Sequence, residues 1–402
     1  MSVEIKHTHR THSVPRMPEA VKNFDVLTAR KVNSFHMSFP DYAPTPLAVL
    51  SNLARELGIA GIYVKDESKR FGLNAFKVLG GSYCLGDYIA EKLGKDIREL
   101  PYSVMTGVEV RDAFGEITFV TATDGNHGRG IAWTANRLGQ KSVVYMPHGT
   151  AAERLENIRA LGADASITDL NYDDTVRLAR RMSEEKGWVL VQDTAWPGYE
   201  KIPVRIMQGY TSMGWEIMEQ LGDVKPTHIF LQAGVGSMAG AMAGFFTNYY
   251  SMKDRPRIVI VEPDKADCFF RTATANDGKL HTVTGDLSTI MAGLACGEPC
   301  TVAWEVLSEC ADDFISMPDT CAAMGMRVLG NPLGNDPRII GGESGAAAMG
   351  FVAAVLRNEK YRDIKNSLGL DDRSRVLCIS TEGDTDRENY RKIVWDGAYA
   401  SD

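Results

Sequence analysis

The feature that most constrains the fold is a regular alternation of short apolar runs with amphipathic runs along most of the chain. Two of the apolar runs, Ser142–Met146 and Arg257–Glu262, carry consecutive Val or Ile residues, as strands covered on both faces do. Amphipathic runs of helical period lie between them, for example Gly128–Leu138 and Asp173–Lys186. The alternation predicts an α/β protein whose mostly parallel sheets are covered by helices. The predicted strands are 62–65, 117–121, 142–146, 166–168, 189–192, 228–232, 257–262, 314–317 and 375–379.

The length of the chain favours two lobes. Its 402 residues exceed the roughly 250–300 residues at which single hydrophobic cores stop growing. We expect a small lobe at 83–207 and a large lobe formed by 37–82 together with 208–402. Residues 1–36 are predicted to be an irregular N-terminal arm, because the Pro-Thr-Pro turn at 44–46 marks the start of the compact body.

Charge and composition exclude several classes of protein. The chain has 44 Lys and Arg against 52 Asp and Glu, so it lacks the basic surface that nucleic-acid binding requires. No apolar run reaches the roughly 18–20 residues of a membrane span, and the N-terminus lacks the apolar core of a secretory signal. Seven scattered cysteines predict reduced thiols in the cytoplasm. Cys296 and Cys300 lack a second Cys/His pair, so no metal site is predicted.

A lysine lies at a predicted helix start. The segment from Lys65 runs out of a strand and through a Gly/Asn turn to Lys77, after which a helix is predicted. The positive end of a helix dipole would lower the pKa of this amine and favour its neutral form. A neutral amine is the form that makes an imine with an aldehyde. A solvated surface lysine is the alternative at this point.

A second loop, Thr123–His127, also joins a predicted strand to a predicted helix. Backbone N–H groups at such a junction are free to bind an anion, and a substrate carboxylate would fit. Asp124 could be a general base, and Asn126 could donate a hydrogen bond to a cofactor oxygen. An aspartate that caps the helix, followed by a turn glycine, is the alternative.

A third loop, Leu231–Gly240, is rich in glycine and again leads from a strand into a helix. Its backbone could wrap a phosphate, and Ser237 would add a hydroxyl. The same loop, with Glu262 ending the next strand, resembles a dinucleotide-binding fingerprint. Its spacing, Gly234-x-Gly236-x-x-x-Gly240, departs from the strict G-x-G-x-x-G pattern.

Two late segments complete the set. An apolar strand runs into Ser380 and Thr381, and a hydroxyl there could face a ring nitrogen or simply cap a helix. The block Gly341–Gly345 precedes another predicted helix, and its Glu343 is a candidate to line a bound ring.

Taken in order, these elements resemble the pyridoxal-phosphate enzymes of the tryptophan-synthase β type, known as fold type II. The matching elements are Pro44–Leu47, Phe76-Lys77, Thr123–His127, Gly234–Met238 and Ser380–Gly383. Longer blocks, KDESKRFGLNAFK at 65–77, TDGNHGRG at 123–130 and QDTAWPGY at 192–199, resemble the diaminopropionate ammonia-lyases within that family. The resemblance extends from about residue 42 to about residue 397.

The resemblance implies a two-lobed fold type II enzyme with pyridoxal 5'-phosphate as cofactor, held as an imine by Lys77. It implies a carbon–nitrogen lyase that removes the Cα proton of D- and L-2,3-diaminopropionate and forms pyruvate and two ammonia through an aminoacrylate. Lys77 is predicted to be the base for the L isomer and Asp124 the base for the D isomer. Asp193, at the end of a predicted strand, is predicted to bind the β-ammonium group.

Further roles follow as predictions. The phosphate would be held by the N–H groups of Gly234, Val235, Gly236, Ser237 and Met238; Asn126 would contact the ring oxygen. Ser380 is the first choice for the pyridine nitrogen, with Thr381 behind it. Predicted substrate contacts are Thr123, Asp124, Gly125, His127 and Asp193. The resemblance also implies a homodimer, and a reversible disulfide between Cys268 and Cys296 is a further hypothesis.

Three alternatives stay open. A serine or threonine dehydratase of the same family would differ in the group that contacts the β-substituent. An NAD-dependent oxidoreductase would use Gly234–Gly240 with Glu262, but it would leave Lys77 and Asn126 unexplained. A non-catalytic relative that binds an amino acid would have no need of an imine-forming lysine.

Overall fold

The computed structural model describes residues 4–12, 17–123 and 125–400. The chain divides into two compact units. Unit 1 comprises Met1–Val26, Pro44–Ala75 and Met213–Asp402, and unit 2 comprises Leu27–Ala43 and Phe76–Ser212. The lobe boundaries that we placed after residues 82 and 207 stay a prediction.

The strands described in unit 1 form one seven-stranded sheet. Numbered along the chain, they are β1 (Lys6–His9), β2 (Leu47–Val49), β3 (Gly61–Asp66), β8 (His228–Gln232), β9 (Arg257–Pro263), β10 (Asp313–Met317) and β11 (Arg375–Ser380). Their order across the sheet is β1-β10-β9-β8-β11-β3-β2. The five central strands are parallel, and β1 and β2 pair antiparallel at the two edges. The predicted α/β class with mostly parallel sheets is confirmed.

The parallel register brings the carboxyl ends of the central strands to one edge of this sheet. Ser380 of β11 is opposite Asp66 of β3, and Gln232 of β8 is opposite Val261 of β9. Ligands of open α/β sheets bind outside this edge. The loops that follow β8, β9 and β11 are therefore placed where unit 1 can contribute to a site.

Helices and 3-10 helices cover the sheet of unit 1. The α-helices are α2 (Ser51–Glu56), α10 (Ser237–Asp254), α11 (Cys268–Ala275), α12 (Thr301–Cys310), α13 (Asp319–Gly330), α14 (Ala347–Arg357), α15 (Arg362–Leu368) and α16 (Arg387–Val394). The 3-10 helices are Glu19–Phe24, Glu67–Gly72, Ala292–Leu294 and Glu359–Tyr361. In the core, Phe351 of α14 and Met326 of α13 share one buried cluster with Phe230 of β8 and Val376 of β11. Burial of these apolar side chains stabilises the unit at about 25 cal/mol per Å² removed from water.

Unit 1 also contains a fully buried cluster of four charges. The Lys65 amine lies 2.7 Å from the Glu216 carboxylate, and the Arg70 guanidinium contacts Glu67 at 2.8 Å and Glu216 at 2.7 Å. Burial of these four side chains is nearly complete. Charges without water are tolerated only when they are paired, and here two cations meet two anions.

Unit 2 has a parallel sheet of four described strands in the order β6-β5-β4-β7. Its strands are β4 (Thr118–Ala122), β5 (Lys141–Met146), β6 (Asp164–Ile167) and β7 (Val189–Leu190). Its helices are α1 (Val26–Met37), α3 (Val78–Lys92), α4 (Tyr102–Met105), α5 (Val108–Phe114), α6 (Asn126–Arg137), α7 (Ala152–Arg159) and α8 (Tyr172–Lys186), with a 3-10 helix at Ile97–Glu99. Helix α9 (Lys201–Leu221) has residues in both units.

Helices α3 and α6 of unit 2 approach each other closely at a glycine. A Cβ atom on Gly130 would lie 2.9 Å from the Cα atom of Val78, so only glycine allows the two backbones to come this near. Val78 is the first residue of α3 and follows Lys77 directly. The close approach therefore fixes the position from which the Lys77 side chain starts.

The expectation of an irregular arm at residues 1–36 is wrong for the described part of the chain. Lys6–His9 form β1, and His7 and His9 both hydrogen-bond to Asp313 of the neighbouring strand. Helix α1 then buries Val32 and Phe35 among other side chains. A strand of four residues whose stabilising partner lies about 300 positions away has no local signal strong enough to predict it.

Each of the nine predicted strands corresponds to one of β3 to β11, although β7 ends at Leu190 rather than at Gln192. Within residues 4–12, 17–123 and 125–400, no helix is long and apolar enough to cross a membrane.

Candidate active site

Lys77 is the residue that precedes helix α3, as predicted, and it makes an ion pair in unit 2. Its Nζ atom lies 2.8 Å from Oδ2 of Asp193, and the side chains are 19% and 4% exposed. The carboxylate favours the charged ammonium form of the amine. The expectation that the helix dipole favours the neutral amine stays a prediction.

Asp193 lies three residues beyond strand β7 and is held by its neighbour. The Gln192 side chain donates to the Ala122 carbonyl and accepts from the Ala122 N–H, both at 3.1 Å, which ties this segment to β4. The Tyr199 hydroxyl accepts the Gln192 N–H at 2.8 Å. Burial would raise the pKa of Asp193, but the charges of Lys77 and His127 outweigh burial and lower it to about 2. Asp193 is therefore a fixed negative charge at neutral pH.

His127, in the first turn of α6, lies on the other side of Asp193. Its Nε2–H donates to the Val191 carbonyl at 2.9 Å, and its Nδ1 atom is 3.8 Å from Oδ2 of Asp193. The carbonyl fixes the ring so that Nδ1 faces the carboxylate. His127 is one of the groups that lower the pKa of Asp193.

The Thr123 loop of unit 2 organises its own backbone. The Thr123 hydroxyl accepts the N–H groups of Gly125 at 3.0 Å and Gly128 at 3.2 Å, and Asn126 begins α6. These two donors are therefore used inside the loop and are not available to an anion. Asp124 lies outside the described residues, so its predicted role as a base stays a prediction.

The glycine loop of unit 1 joins β8 to the eighteen-residue helix α10, which begins at Ser237. Gly236 precedes the helix with φ +91°, a conformation that side chains disfavour. A Cβ atom there would lie 2.6 Å from Cε2 of Phe269, so the loop is closed from behind. The first N–H groups of a helix and the positive end of its dipole favour an anion such as phosphate at this place.

The hydroxyl groups of Ser380 and Thr381, at and just after the end of β11, differ in their hydrogen-bond partners. The Thr381 hydroxyl accepts a hydrogen bond from Nε2 of Gln232 at 3.1 Å. The Ser380 hydroxyl is buried and has no hydrogen-bond partner among the described residues. Leaving a buried hydroxyl unsatisfied costs free energy, so Ser380 is the hydroxyl available to a ligand.

Glu343 is buried in the turn before α14. It accepts a hydrogen bond from Nδ2 of Asn389 at 2.5 Å. Burial and the nearby Glu382 carboxylate raise the pKa of Glu343 to about 7. It is therefore largely neutral in mildly acidic solution and can donate a proton to an acceptor.

Each unit carries groups that suit one part of pyridoxal phosphate. The glycine loop offers backbone N–H groups to a phosphate, and the unsatisfied Ser380 hydroxyl suits a pyridine nitrogen. The Lys77 amine is the nucleophile that an aldehyde requires. The two sets belong to different units, the glycine loop and Ser380 to unit 1 and Lys77 to unit 2.

The structure does not support the dinucleotide alternative, because Glu262, its predicted ribose ligand, has other partners. Glu262 is fully buried, and its two oxygens accept the N–H groups of Phe269 at 2.9 Å and Phe270 at 2.6 Å. A carboxylate that caps helix α11 in this way is not available to the ribose of a bound nucleotide. The oxidoreductase interpretation is therefore not supported.

The cysteines and other potential ligands show no metal centre. No group of three or more His, Cys, Asp or Glu residues within the described ranges could hold a metal ion. Cys268 is buried, Cys296 is partly buried, and neither is in a disulfide. Their reversible disulfide stays a hypothesis.

Sequence reasoning missed two glutamines that organise the site. Gln192 follows β7, and Gln232 ends β8 and donates to the Ile379 carbonyl at 2.9 Å and to Thr381. Both are polar side chains at the end of an apolar strand, and both are buried. That contrast was the available signal, since a buried polar group at such a position must have specific partners.

Comparisons with known proteins agree with this geometry. The model of the family described as pyridoxal-phosphate dependent enzyme matches residues 39–382. The diaminopropionate ammonia-lyase of Escherichia coli K12 is 51% identical over 380 residues, which cover 94% of this chain and 94% of that protein. The crystal structure of the Escherichia coli enzyme in complex with D-serine superposes with a TM-score of 0.92 at 47% identity and covers 99% of each chain.

A second crystal structure of the Escherichia coli enzyme, in complex with an aminoacrylate-PLP azomethine reaction intermediate, gives a TM-score of 0.90 at 47% identity and again covers 99% of each chain. The family model spans most of the sequence, and the relative is similar over nearly all of it. The chain therefore belongs to the pyridoxal-phosphate-dependent enzymes of fold type II and, within them, to the diaminopropionate ammonia-lyases.

Proposed function

We propose that the chain is a carbon–nitrogen lyase that eliminates ammonia from D- and L-2,3-diaminopropionate and gives pyruvate and two ammonia. The observation that carries the proposal is the 2.8 Å pair of Lys77 with the buried Asp193, in a chain that is 51% identical to a diaminopropionate ammonia-lyase. An imine-forming amine and a permanently ionised carboxylate are the two groups that elimination of an amine requires on one side of the substrate.

Pyridoxal phosphate, when bound, supplies an electron sink that stabilises negative charge at the substrate Cα atom. Lys77 would hold its aldehyde carbon, and Asn126 its ring oxygen. Ser380 would meet the pyridine nitrogen, with Thr381 as the second choice and Glu343 beside the ring. The N–H groups of Gly234, Val235, Gly236, Ser237 and Met238 would hold the phosphate.

Two bases would divide the proton abstraction. Lys77 takes the Cα proton of the L isomer, and Asp124 takes that of the D isomer from the opposite face. A positioned general base typically contributes about 10²–10⁴-fold to the rate. The assignment of Asp124 rests on its place in the sequence, between Thr123 and the helix that starts at Asn126.

Asp193 would bind the β-amino group as an ammonium ion. An amine leaves as ammonia far more easily when it carries a proton, and a carboxylate with its pKa lowered to about 2 keeps a neighbouring amine charged. With Lys77 holding the cofactor, the Asp193 carboxylate would be available to the ammonium group of the substrate. His127 orients Asp193, and the Thr123–His127 loop would receive the substrate carboxylate.

The dehydratase alternative is less well supported. A hydroxyl leaving group has less need of a carboxylate that is ionised at all working pH values. We further propose that the enzyme is a homodimer in the cytoplasm. The family resemblance supports the dimer, and seven cysteines without a disulfide fit a reducing compartment.

The function is tested by measuring pyruvate release from D- and L-diaminopropionate, D-serine and L-threonine with the purified holoenzyme. Both diaminopropionate isomers should be turned over fastest. Borohydride reduction should add the mass of the cofactor to the wild-type chain but not to Lys77→Ala, and Lys95→Ala, an exposed lysine of unit 2, is the matched control. Preference for L-threonine, or a chain without covalent cofactor, would refute the proposal.

A further inference from the structure

Glu262 is a buried acid that the proposed reaction does not use. It lies in β9, and its carboxylate accepts the N–H groups of Phe269 at 2.9 Å and Phe270 at 2.6 Å and the thiol of Cys268 at 3.6 Å. All three donors belong to the first turn of helix α11. The unpaired N–H groups of a helix start are costly when buried, so this one side chain fixes where α11 begins.

Phe269, placed in this way, closes the rear of the glycine loop. The side chain is fully buried, and its ring lies where a Cβ atom of Gly236 would stand. The ring also packs against Trp304 of α12, with 6.2 Å between the ring centres and the rings tilted. Arg10, just beyond β1, lies over Trp304 at 5.4 Å. A chain of side-chain contacts therefore runs from Arg10 through Trp304 and Phe269 to Gly236.

The glycine loop needs such support. Glycine has more backbone freedom than any other residue, so a loop built on it is free to adopt conformations in which its N–H groups diverge. Freezing those conformations on binding would weaken affinity, whereas a loop that is already fixed avoids this loss. A rigid aromatic ring directly behind Gly236, with φ +91°, leaves that residue little room to move.

We propose that Glu262 and Phe269 are positioning residues that hold the phosphate-binding loop in its binding conformation, with Glu262 acting through helix α11 and Phe269 acting by contact. The inference rests on the proposed cofactor, because the loop has to be held for a phosphate. In this proposal Glu262 supports the phosphate-binding loop and does not bind the ribose of a dinucleotide.

The test compares two fully buried phenylalanines of unit 1, Phe269→Leu and, as control, Phe351→Leu of α14. Each variant is resolved from its cofactor and titrated with pyridoxal phosphate, followed by visible absorption. We expect the Kd of Phe269→Leu to rise about tenfold and that of Phe351→Leu to change less than about threefold, although both truncations lower Tm to a similar degree. The ³¹P NMR signal of the bound phosphate should shift in Phe269→Leu alone.

Glu262 provides the second series. Glu262→Leu removes both acceptors and should weaken cofactor binding at least as much as Phe269→Leu. Glu262→Gln retains one acceptor and the shape of the side chain, so its Kd should lie between those of wild type and Glu262→Leu. Such an intermediate Kd would show that the hydrogen bonds from Glu262 to the start of α11 matter, and not only the loss of a buried side chain.

The outcomes separate the two proposals. Failure of the wild-type chain to bind pyridoxal phosphate would refute the proposed function. Normal binding by wild type, with equal Kd values and equal ³¹P signals for Phe269→Leu and Phe351→Leu, would overturn the positioning role while leaving the function intact. A Glu262→Leu variant that binds as tightly as wild type would do the same for Glu262.

Discussion

Two loops of this protein have the same strand–loop–helix arrangement but differ in the side chains around them. The Thr123–His127 loop of unit 2 and the Ala233–Ser237 loop of unit 1 each lead from a buried parallel strand into a helix. The loop of unit 2 is surrounded by ionisable side chains, with Asp193 next to His127. The loop of unit 1 is enclosed by an aromatic ring and by backbone. We propose that the same backbone arrangement serves reaction chemistry in unit 2 and the shape of a phosphate site in unit 1.

The comparison makes a general expectation. Substitutions around the loop of unit 2 should change turnover and substrate choice while the cofactor stays bound. Substitutions around the loop of unit 1 should change cofactor affinity before they change turnover by the loaded enzyme. The following predictions test this division, from the largest expected effect to the smallest.

Asp124→Asn should lower kcat/KM for D-diaminopropionate by about 10²–10⁴-fold, because the amide cannot accept the Cα proton. Turnover of the L isomer should change only a few-fold, since Lys77 serves that face. Steady-state pyruvate assays with each pure isomer measure the difference, and Asp112→Asn, an exposed residue of the same unit, is the control. An equal loss on both isomers would contradict a stereospecific base.

Asp193→Asn should lower kcat/KM for diaminopropionate by roughly 10²-fold, the size expected when one preorganised electrostatic partner is removed. Any turnover of D-serine should fall less, because its leaving group carries no ammonium charge. The ratio of the two losses is the useful quantity. A ratio near one would remove the argument that Asp193 recognises the β-ammonium group.

Ser380→Ala should weaken pyridoxal-phosphate binding by about tenfold, the free energy of one good hydrogen bond. Thr381→Val should do less, because the Thr381 hydroxyl already has Gln232 as its partner. Titration of the resolved enzymes and the position of the visible absorption band give both values. A larger effect at Thr381 would reverse the assignment of the ring-nitrogen contact.

Glu343→Gln should change the dependence of stability on pH. The folded-state pKa of Glu343, about 7, is raised above the ordinary value of 4.5. Its contribution to stability is therefore fully present below pH 4.5 and is lost as pH rises through 7. The Tm of the wild-type holoenzyme should fall more between pH 5 and pH 8 than that of the variant. Glu359→Gln, on the exposed surface, should behave like wild type.

The sequence predicted the loops well because their signals are local. A strand that ends in small or polar residues before a helix can be recognised within ten positions. Lys77 lies at the helix start where the pattern placed it, and the loops predicted to lead into helices do so at Asn126 and Ser237. The ion pair of Lys77 could not be predicted in the same way. Its partner Asp193 is 116 positions away, and only folding brings the two side chains together.

The edge strand β1 and the side chains that support the sheet from a distance could also not be predicted from local patterns. His7 and His9 of strand β1 hydrogen-bond to Asp313, and no pattern within residues 6–9 predicts that partner. Glu262 supported the dinucleotide alternative because an acid at the end of a strand binds ribose in dinucleotide sites. Its real partners are the N–H groups of a helix that begins six residues later, and only the geometry distinguishes the two uses.

The buried cluster of Lys65, Glu67, Arg70 and Glu216 has a consequence for synthesis on the ribosome. Glu216 lies 146 positions after Arg70, so at about 5–20 residues per second it emerges roughly 7–30 s later. Until then the nascent chain holds two cations with a single anion and cannot dehydrate this part of unit 1. We therefore expect β3, which carries Lys65, to stay hydrated until helix α9, which carries Glu216, has been synthesised.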